Sequence, residues 1–283
     1  MRDGELIGRL SIVATPIGNL EDITLRALRT LRECDGILAE DTRRTRVLLS
    51  HHGIATPVRA FHAHTSDARL EALASELAGG KHLALVTDAG TPLVSDPGAR
   101  LVRAAVERGV RVEPIPGASA LLAALSLAAP LGHCFTFAGF LPRSGGRRKA
   151  ALRAIATRAE ASVLFEAPSR LQQSLHDLAE LAPEREAVVC RELTKIHEEA
   201  VRGTLSSLAK TFEEREARGE ITIVVDALAH DAEPEPLDDA LVAARIDALL
   251  EEGMGAKEIA RELAAELGLP KREVYQRVLA RGS

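Results

Sequence analysis

Between residues 8 and 116, short apolar runs alternate with amphipathic helical patterns, and few folds accommodate that rhythm. Strands are expected at 9–14, 35–40, 57–61, 82–87 and 110–115. Helices are expected between them at 22–33, 42–52, 66–78 and 97–108. A crossover helix returns the chain to the same end of the sheet, so successive strands run parallel. Open sheets of this kind bind ligands in a crevice beyond the carboxyl ends of their strands. The loops at those ends are where function is sought.

The most informative loop is 86–98, Val86-Thr-Asp-Ala-Gly-Thr-Pro-Leu-Val-Ser-Asp-Pro-Gly98. It links the apolar run 82–86 to a helix carrying Leu101, Val102, Ala105 and Val106 on one face. It uses about ten residues where a few suffice. Gly90 and Gly98 permit tight turns or close backbone approach to a ligand, and Pro92 and Pro97 fix φ. Residues 95–98 read as an ordinary cap, with Asp96 as N-cap and Pro97 as first helical residue. Capping does not account for Asp88-Ala-Gly-Thr-Pro92, which points to a ligand loop.

Two more tight turns follow strands, at 15–20 and 115–120. The first precedes a helix for which Asp22 is the expected cap. It lacks Gly-Lys-Ser/Thr and has a single glycine, so it is neither a Walker loop nor a dinucleotide fingerprint. Three such turns in one half of the chain point to one shared crevice.

At 46% hydrophobic and 27% charged residues the composition is that of a soluble globular protein. No run of 18 apolar residues and no signal-peptide pattern is present, so a cytoplasmic protein with no membrane partner is expected. Cys34, Cys134 and Cys190 are far apart without metal-ligand spacing and read as small hydrophobes; no metal is expected. The net charge of −5 gives no global sign of nucleic-acid binding, although local patches can differ from the total.

After a small-residue helix at 118–128 the rhythm changes. Strands at 134–140, 161–166, 186–193, 198–204 and 220–226 are separated by charged helices at 146–159, 169–181 and 205–217. The expected organisation is an N-terminal α/β domain over 8–117, a second α+β domain over 118–230, and a tail over 231–283. The tail begins with an acidic, proline-bearing linker at 231–237 and continues with helical patterns at 238–251, 256–267 and 271–281. Its last two helices resemble a helix-turn-helix unit.

Charged residues recur at the strand ends. Glu40 and Asp41 stand beside Arg43 and Arg44, where Asp41 or Thr42 serves as a helix cap as readily as the carboxylates serve a substrate. His62 and His64 read as polar cleft residues, because further metal ligands at suitable spacing are missing. Arg143, Arg147, Arg148 and Lys149 surround Gly145 and Gly146, a loop suited to a phosphate backbone. Glu166 and Arg170 end one strand, and Arg191, Glu192 and Lys195 end another. Together they indicate a polar groove between the domains.

Several motifs in order carry a specific resemblance. They are Thr15-Pro-Ile-Gly-Asn-Leu20, Ala39-Glu-Asp-Thr-Arg43, Thr87-Asp-Ala-Gly-Thr-Pro92 through Ser95-Asp-Pro-Gly98, Pro116-Gly117, Gly139-Phe-Leu-Pro142, Arg191-Glu-Leu-Thr-Lys195 and Gly219-Glu220. The set closely resembles the RsmI family, bacterial methyltransferases of the tetrapyrrole methylase superfamily that act on a cytidine ribose 2′-hydroxyl in 16S ribosomal RNA. The match runs from about residue 9 to 226. The resemblance implies a two-domain α/β, tetrapyrrole-methylase-like (class III methyltransferase) fold with a small C-terminal helical module. S-adenosyl-L-methionine would lie in the cleft between the domains. It also implies a homodimer and, as substrate, the decoding region of 16S rRNA in the small ribosomal subunit. Two departures stand out. The family's usual Tyr-Glu-Ser-Pro-His-Arg is here Phe165-Glu-Ala-Pro-Ser169-Arg170, and Ile221 replaces a common Phe or Met.

Methyl transfer to a ribose hydroxyl needs alignment and a proton acceptor, or a cation that lowers the hydroxyl pKa. Candidate bases are Glu40, Asp41 and Glu192, with Lys195 and Arg43 as cationic helpers; spacing does not rank them. The cofactor is expected on Asp88, Ala89, Gly90 and Pro92, on Gly117, Ser119 and Ala120, and near Phe165 and Ile221. Pro16 and Gly18 would form the floor near the methyl donor. Substrate contacts are expected from Arg43, Arg44, His62, Arg143, Arg147, Arg148, Lys149 and Arg170. Two rival readings are a methylase of a small tetrapyrrole-like metabolite and a non-enzymatic, RNA-binding ribosome-assembly protein.

Overall fold

The computed structural model describes residues 8–215, 217–228, 239–251, 254–267 and 271–281. The chain forms two compact units, Met1–Leu228 and Ala229–Ser283.

The first unit opens with the expected parallel sheet. Its strands are β1 (Arg9–Val13), β2 (Gly36–Ala39), β3 (Val58–Ala60), β4 (His82–Val86) and β5 (Arg111–Ile115). They are ordered β3-β2-β4-β1-β5, and every pairing is parallel. Side chains alternate across the sheet, and helices cover both faces. On one face Ala84 and Val86 pack with helices α1 (Leu25–Glu33) and α2 (Thr42–His51). On the other, Leu83 and Leu85 pack with α3 (Asp67–Ala78) and α4 (Ala99–Glu107).

Two helix starts differ from expectation. Asn19 caps a short 3-10 turn at Leu20–Asp22, and Thr24 rather than Asp22 caps α1 by accepting from the Ala27 N–H. Asp96 does not cap α4 either. That helix starts at Ala99 behind Gly98, whose φ of 138° belongs to a region closed to most side chains. The Asp96 carboxyl is thereby left free of a capping role.

The second sheet holds β6 (Phe135–Phe140), β7 (Ala161–Glu166), β8 (Glu186–Arg191), β9 (Glu199–Thr204) and β10 (Ile221–Val225). Its order is β6-β7-β10-β8-β9, parallel only between β6 and β7. Helix α5 (Ala120–Ala128) covers one face. Helices α6 (Gly145–Thr157), α7 (Pro168–Leu181) and α8 (Leu205–Glu213) cover the other. Arg185 is buried beneath this layer, and its guanidinium donates to the carbonyls of Ile155, Ala156, Arg158, Glu160 and Asp226. These carbonyls hold a charge that burial would otherwise penalise.

The second unit comprises α9 (Asp239–Glu251), α10 (Ala256–Leu267) and α11 (Lys271–Arg281) around a core that includes Val242, Ile246, Ile259, Leu263, Val274 and Val278. Arg281 closes it with a two-pronged bond to Asp247. The expected linker 231–237 and the junction 268–270 lie outside the described residues. Among the described residues, no helix is long and apolar enough to cross a membrane.

Candidate active site

The carboxyl ends of β1 and β4 are joined beyond the sheet. Thr15 and Gly90 form an isolated bridge, with N–H···O distances of 2.9 and 3.0 Å. Gly90 needs its φ of 85° to make that turn. The Thr15 hydroxyl donates to the Thr87 carbonyl, and the Thr91 hydroxyl to the Ala118 carbonyl. The three loops expected to share one crevice are therefore stitched to one another.

The second sheet closes over them. Leu193 to Lys195 crowd Gly18 so closely that a Cβ there would collide with the Lys195 side chain and the Leu193 carbonyl. The Asn19 N–H donates to the Thr194 hydroxyl. Glu192 and Thr194 hold φ of 53° and 67°, an unusual pair for non-glycine residues and a sign of imposed geometry.

Between the loops lies a cleft with two lobes of about 350 Å³ each, sharing Ile17, Arg44, Thr87, Asp88, Ala89 and Glu220. One lobe adds Thr15, Pro16, Gly18, Leu20 and Lys195. The other adds Gly90, Ser119, Ala120, Phe140, Phe165 and Ile221 together with Asp96 and Glu166. An apolar shelf facing a few fixed polar groups is the usual make-up of a small-molecule site.

A family model for tetrapyrrole (corrin/porphyrin) methylases matches residues 9–209, and one for the RsmI C-terminal HTH domain matches residues 235–282. The chain is a tetrapyrrole methylase family member. Among its relatives, ribosomal RNA small subunit methyltransferase I of Thermotoga maritima is 46% identical over 77% of this chain and 98% of its own length. The protein of the same name from Halalkalibacterium halodurans is 40% identical over 95% of this chain and 93% of its own. The uroporphyrin-III C-methyltransferase of Thermus thermophilus, solved in complex with S-adenosylhomocysteine, shares the fold. It matches with a TM-score of 0.55 and 23% identity, over 77% of this chain and 97% of that one.

In this tetrapyrrole methylase, nine of the eleven expected cofactor positions line the cleft: Pro16, Gly18, Asp88, Ala89, Gly90, Ser119, Ala120, Phe165 and Ile221. Pro92 is buried behind the loop, and a Cβ on Gly117 would stand 3.1 Å from the Ala14 Cβ. Both shape the wall without lining it.

The four candidate catalytic residues separate. Lys195 lines the cleft, donating to Glu192 Oε1 at 2.7 Å and Glu220 Oε2 at 3.0 Å. Burial works against its charge, but the bonds to Glu192 and Glu220 outweigh burial and raise its pKa. The Lys195 hydrogen bond, with one from the Glu220 N–H, holds Glu192 below the usual carboxylate range. Asp41 caps α2 through the Arg43 N–H and pairs with the Arg43 guanidinium at 3.1 Å, which lowers its pKa. Its own N–H donates to Asp88 Oδ1 at 2.9 Å. Of the two roles left open for Asp41, capping is the one its geometry displays. Glu40 is exposed beside it and lines neither lobe.

Of the expected substrate residues, Arg44 lines both lobes, 3.9 Å from Asp88. Arg43 and His62 are exposed outside the linings, as are Arg143, Arg147 and Lys149. Arg148 departs from the expected phosphate-facing set. It is 8% exposed and binds Asp177 Oδ2 at 2.7 Å and the Ser174 hydroxyl at 3.1 Å, fastening α6 to α7. Helical periodicity turns it inward from its exposed neighbours. Arg170 also faces protein, donating to the Leu141 carbonyl and pairing with Glu166.

Sequence reasoning placed Glu166 in the polar groove without giving it a role, and did not assign Glu220 or Asp96 to the cleft. Glu220 stands beside Ile221, a residue already singled out, which was the available signal. Asp96 was hidden by its match to a helix cap.

Proposed function

We propose that the chain is an S-adenosylmethionine-dependent ribosomal RNA methyltransferase that modifies the 2′-hydroxyl of a cytidine ribose in the decoding region of 16S rRNA. The observation that carries this reading is the two-lobed cleft in a chain with full-length relatives named ribosomal RNA small subunit methyltransferase I. The cofactor fits the residues present. Phe165, Ile221 and Ala120 offer an apolar shelf for a flat base, and the Gly90 turn brings backbone groups close. S-adenosylmethionine supplies the methyl group.

The protein's part is to bind, orient and dispose of a proton. Lys195, kept charged by Glu192 and Glu220, and Arg44 place cations in the lobe beside the methyl donor. Cations there hold a phosphodiester backbone and favour the ionised form of a nearby hydroxyl. Arg43, Arg143, Arg147 and Lys149 extend positive charge over the surface, and RNA association draws on such groups. The working form is a cytoplasmic homodimer acting on the small subunit.

Tritium transfer from labelled S-adenosylmethionine to small-subunit particles, free 16S RNA and porphyrin precursors tests the reading. Label is expected in RNA, at one cytidine whose 3′ linkage resists alkali because a 2′-O-methyl group cannot attack the adjacent phosphate. Label in porphyrin alone, or in no acceptor, would overturn it.

A further inference from the structure

Among the described residues, four carboxylates line the lobe that holds Phe165 and Ile221: Asp88, Asp96, Glu166 and Glu220. Three are satisfied by donors of the protein. Glu166 takes the Arg170 guanidinium, the Ser174 hydroxyl at 2.6 Å and the Ala167 N–H at 2.8 Å. Glu220 takes Lys195, and Asp88 takes the Asp41 N–H with Arg44 beyond it. Asp96 is different. The Thr87 side chain favours its charged form, but the charged groups acting on it, Glu40 and Asp88, are both anionic. Half-burial, reinforced by those two carboxylates, raises its pKa above the ordinary aspartate value.

The backbone around Asp96 is fixed. Leu93 and Ser95 hold φ of 74° and 68°, and a Cβ on Gly98 would stand 2.7 Å from Leu85 and Leu93. Non-glycine residues persist in this region only where their surroundings impose it, and such strain gathers at working sites. The strained loop holds at the cleft wall a carboxylate that has no cation partner among the described residues and does not cap the helix beside it.

We propose that Asp96 is the general base of the methyl transfer. This assignment rests on the cleft being the methyl-transfer site. The O–H bond of the attacking hydroxyl breaks toward the Asp96 carboxylate as the oxygen forms a bond to the methyl carbon. The carbon–sulfur bond breaks with its electron pair passing to sulfur, which loses its positive charge. The products are a methyl ether, S-adenosylhomocysteine and protonated Asp96, which returns its proton to solvent. A carboxylate with a raised pKa suits this task, because proton acceptors work best when their pKa approaches the working pH.

Asp96→Asn in the full-length protein tests the assignment. Single-turnover methylation of small-subunit particles is measured across pH, with S-adenosylmethionine binding followed by calorimetry and RNA binding by filter retention. Both ligands are expected to bind within about threefold of wild type. The rate is expected to fall by about 10²–10⁴-fold, the usual weight of general-base catalysis, and to lose the acid limb of its pH profile. Asp96→Glu is expected to recover part of the rate. Near-normal turnover or a retained acid limb would overturn the proposal. So would a large loss of cofactor affinity, which would make Asp96 a counter-ion to the bound sulfonium. A thermal melt shows whether the variant is folded. Wild-type protein that transfers no methyl group to RNA would instead defeat the reading of the cleft.

Discussion

Gly90 and Thr15 exchange a pair of backbone hydrogen bonds that ties the loop after β4 to the loop after β1. The pairing depends on the Gly90 φ of 85°, and an added Cβ would lie 3.4 Å from the Ile17 Cγ2. Space is tight but not closed, so conformation is the stronger constraint. A β-branched residue in the left-handed region costs about 1–2 kcal/mol or more and would be relieved by turning the loop. Gly90→Val is expected to weaken S-adenosylmethionine binding at least tenfold in calorimetry while far-ultraviolet dichroism is unchanged. Wild-type affinity would show that the cofactor does not depend on this turn.

Asp96 also makes a prediction about stability. Its folded pKa is raised, by burial first, so between the ordinary aspartate value and the folded value the native state binds more protons than the unfolded chain. Stability then falls as pH rises through that window, and at neutral pH the ionised carboxylate is a net cost. Asp96→Asn is expected to melt at a higher temperature than wild type at pH 7, with the difference vanishing at acid pH. A variant that melts lower at pH 7 and equally at pH 4 would mean that the carboxylate has a stabilising partner. Lost activity together with gained stability is the trade-off expected of a functional group held at a cost.

The basic loop divides into surface and interior. Arg148→Ala leaves Asp177 without its guanidinium next to the buried Ser174. Breaking such a pair costs about 3–5 kcal/mol when fully buried, and somewhat less here because Asp177 is partly exposed. Arg148→Ala is therefore expected to lower the melting temperature by several degrees. The triple change of Arg143, Arg147 and Lys149 to alanine is expected to leave stability unchanged. It should weaken RNA binding and flatten its salt dependence, with cofactor affinity unaltered. Equal salt slopes for the triple variant and wild type would remove this loop from the RNA-binding surface.

The sheet was legible because β2 and β4 are largely continuous apolar runs, β1 is one interrupted by Ser11, and the helices between them carry one apolar face. Strand order was not legible, since β1 pairs with β4 and β5 across long stretches of chain and no local pattern encodes those partners. Most of the cleft-lining loops were visible as glycine- and proline-bearing turns at strand ends. Arg148 shows where that reasoning stops. Four consecutive-looking cations are one surface in sequence, but 3.6 residues per turn send one of them inward. Asp96 shows a second limit. A Ser-Asp-Pro-Gly run fits a cap by composition, and only the positive φ at Ser95 and Gly98 reveals that the helix begins later.

The tail gives the last prediction. Ala229–Ser283 is a compact unit whose three helices share their own apolar core, and its sequence matches the RsmI C-terminal HTH domain model over 235–282. A bundle this small buries little surface, so it contributes little to the fold of Met1–Leu228, whose two sheets have separate cores. The residues named above as lining the two cleft lobes all belong to Met1–Leu228. Its role is therefore expected to lie in docking the ribosomal substrate, not in the methyl transfer. A chain ending at Leu228 is expected to melt cooperatively and to bind S-adenosylmethionine as the full chain does. It should methylate small-subunit particles with KM raised about tenfold or more and kcat little changed, the pattern of lost uniform binding. If kcat falls instead while KM holds, the tail takes part in the chemical step. If neither constant moves, it has no role in docking.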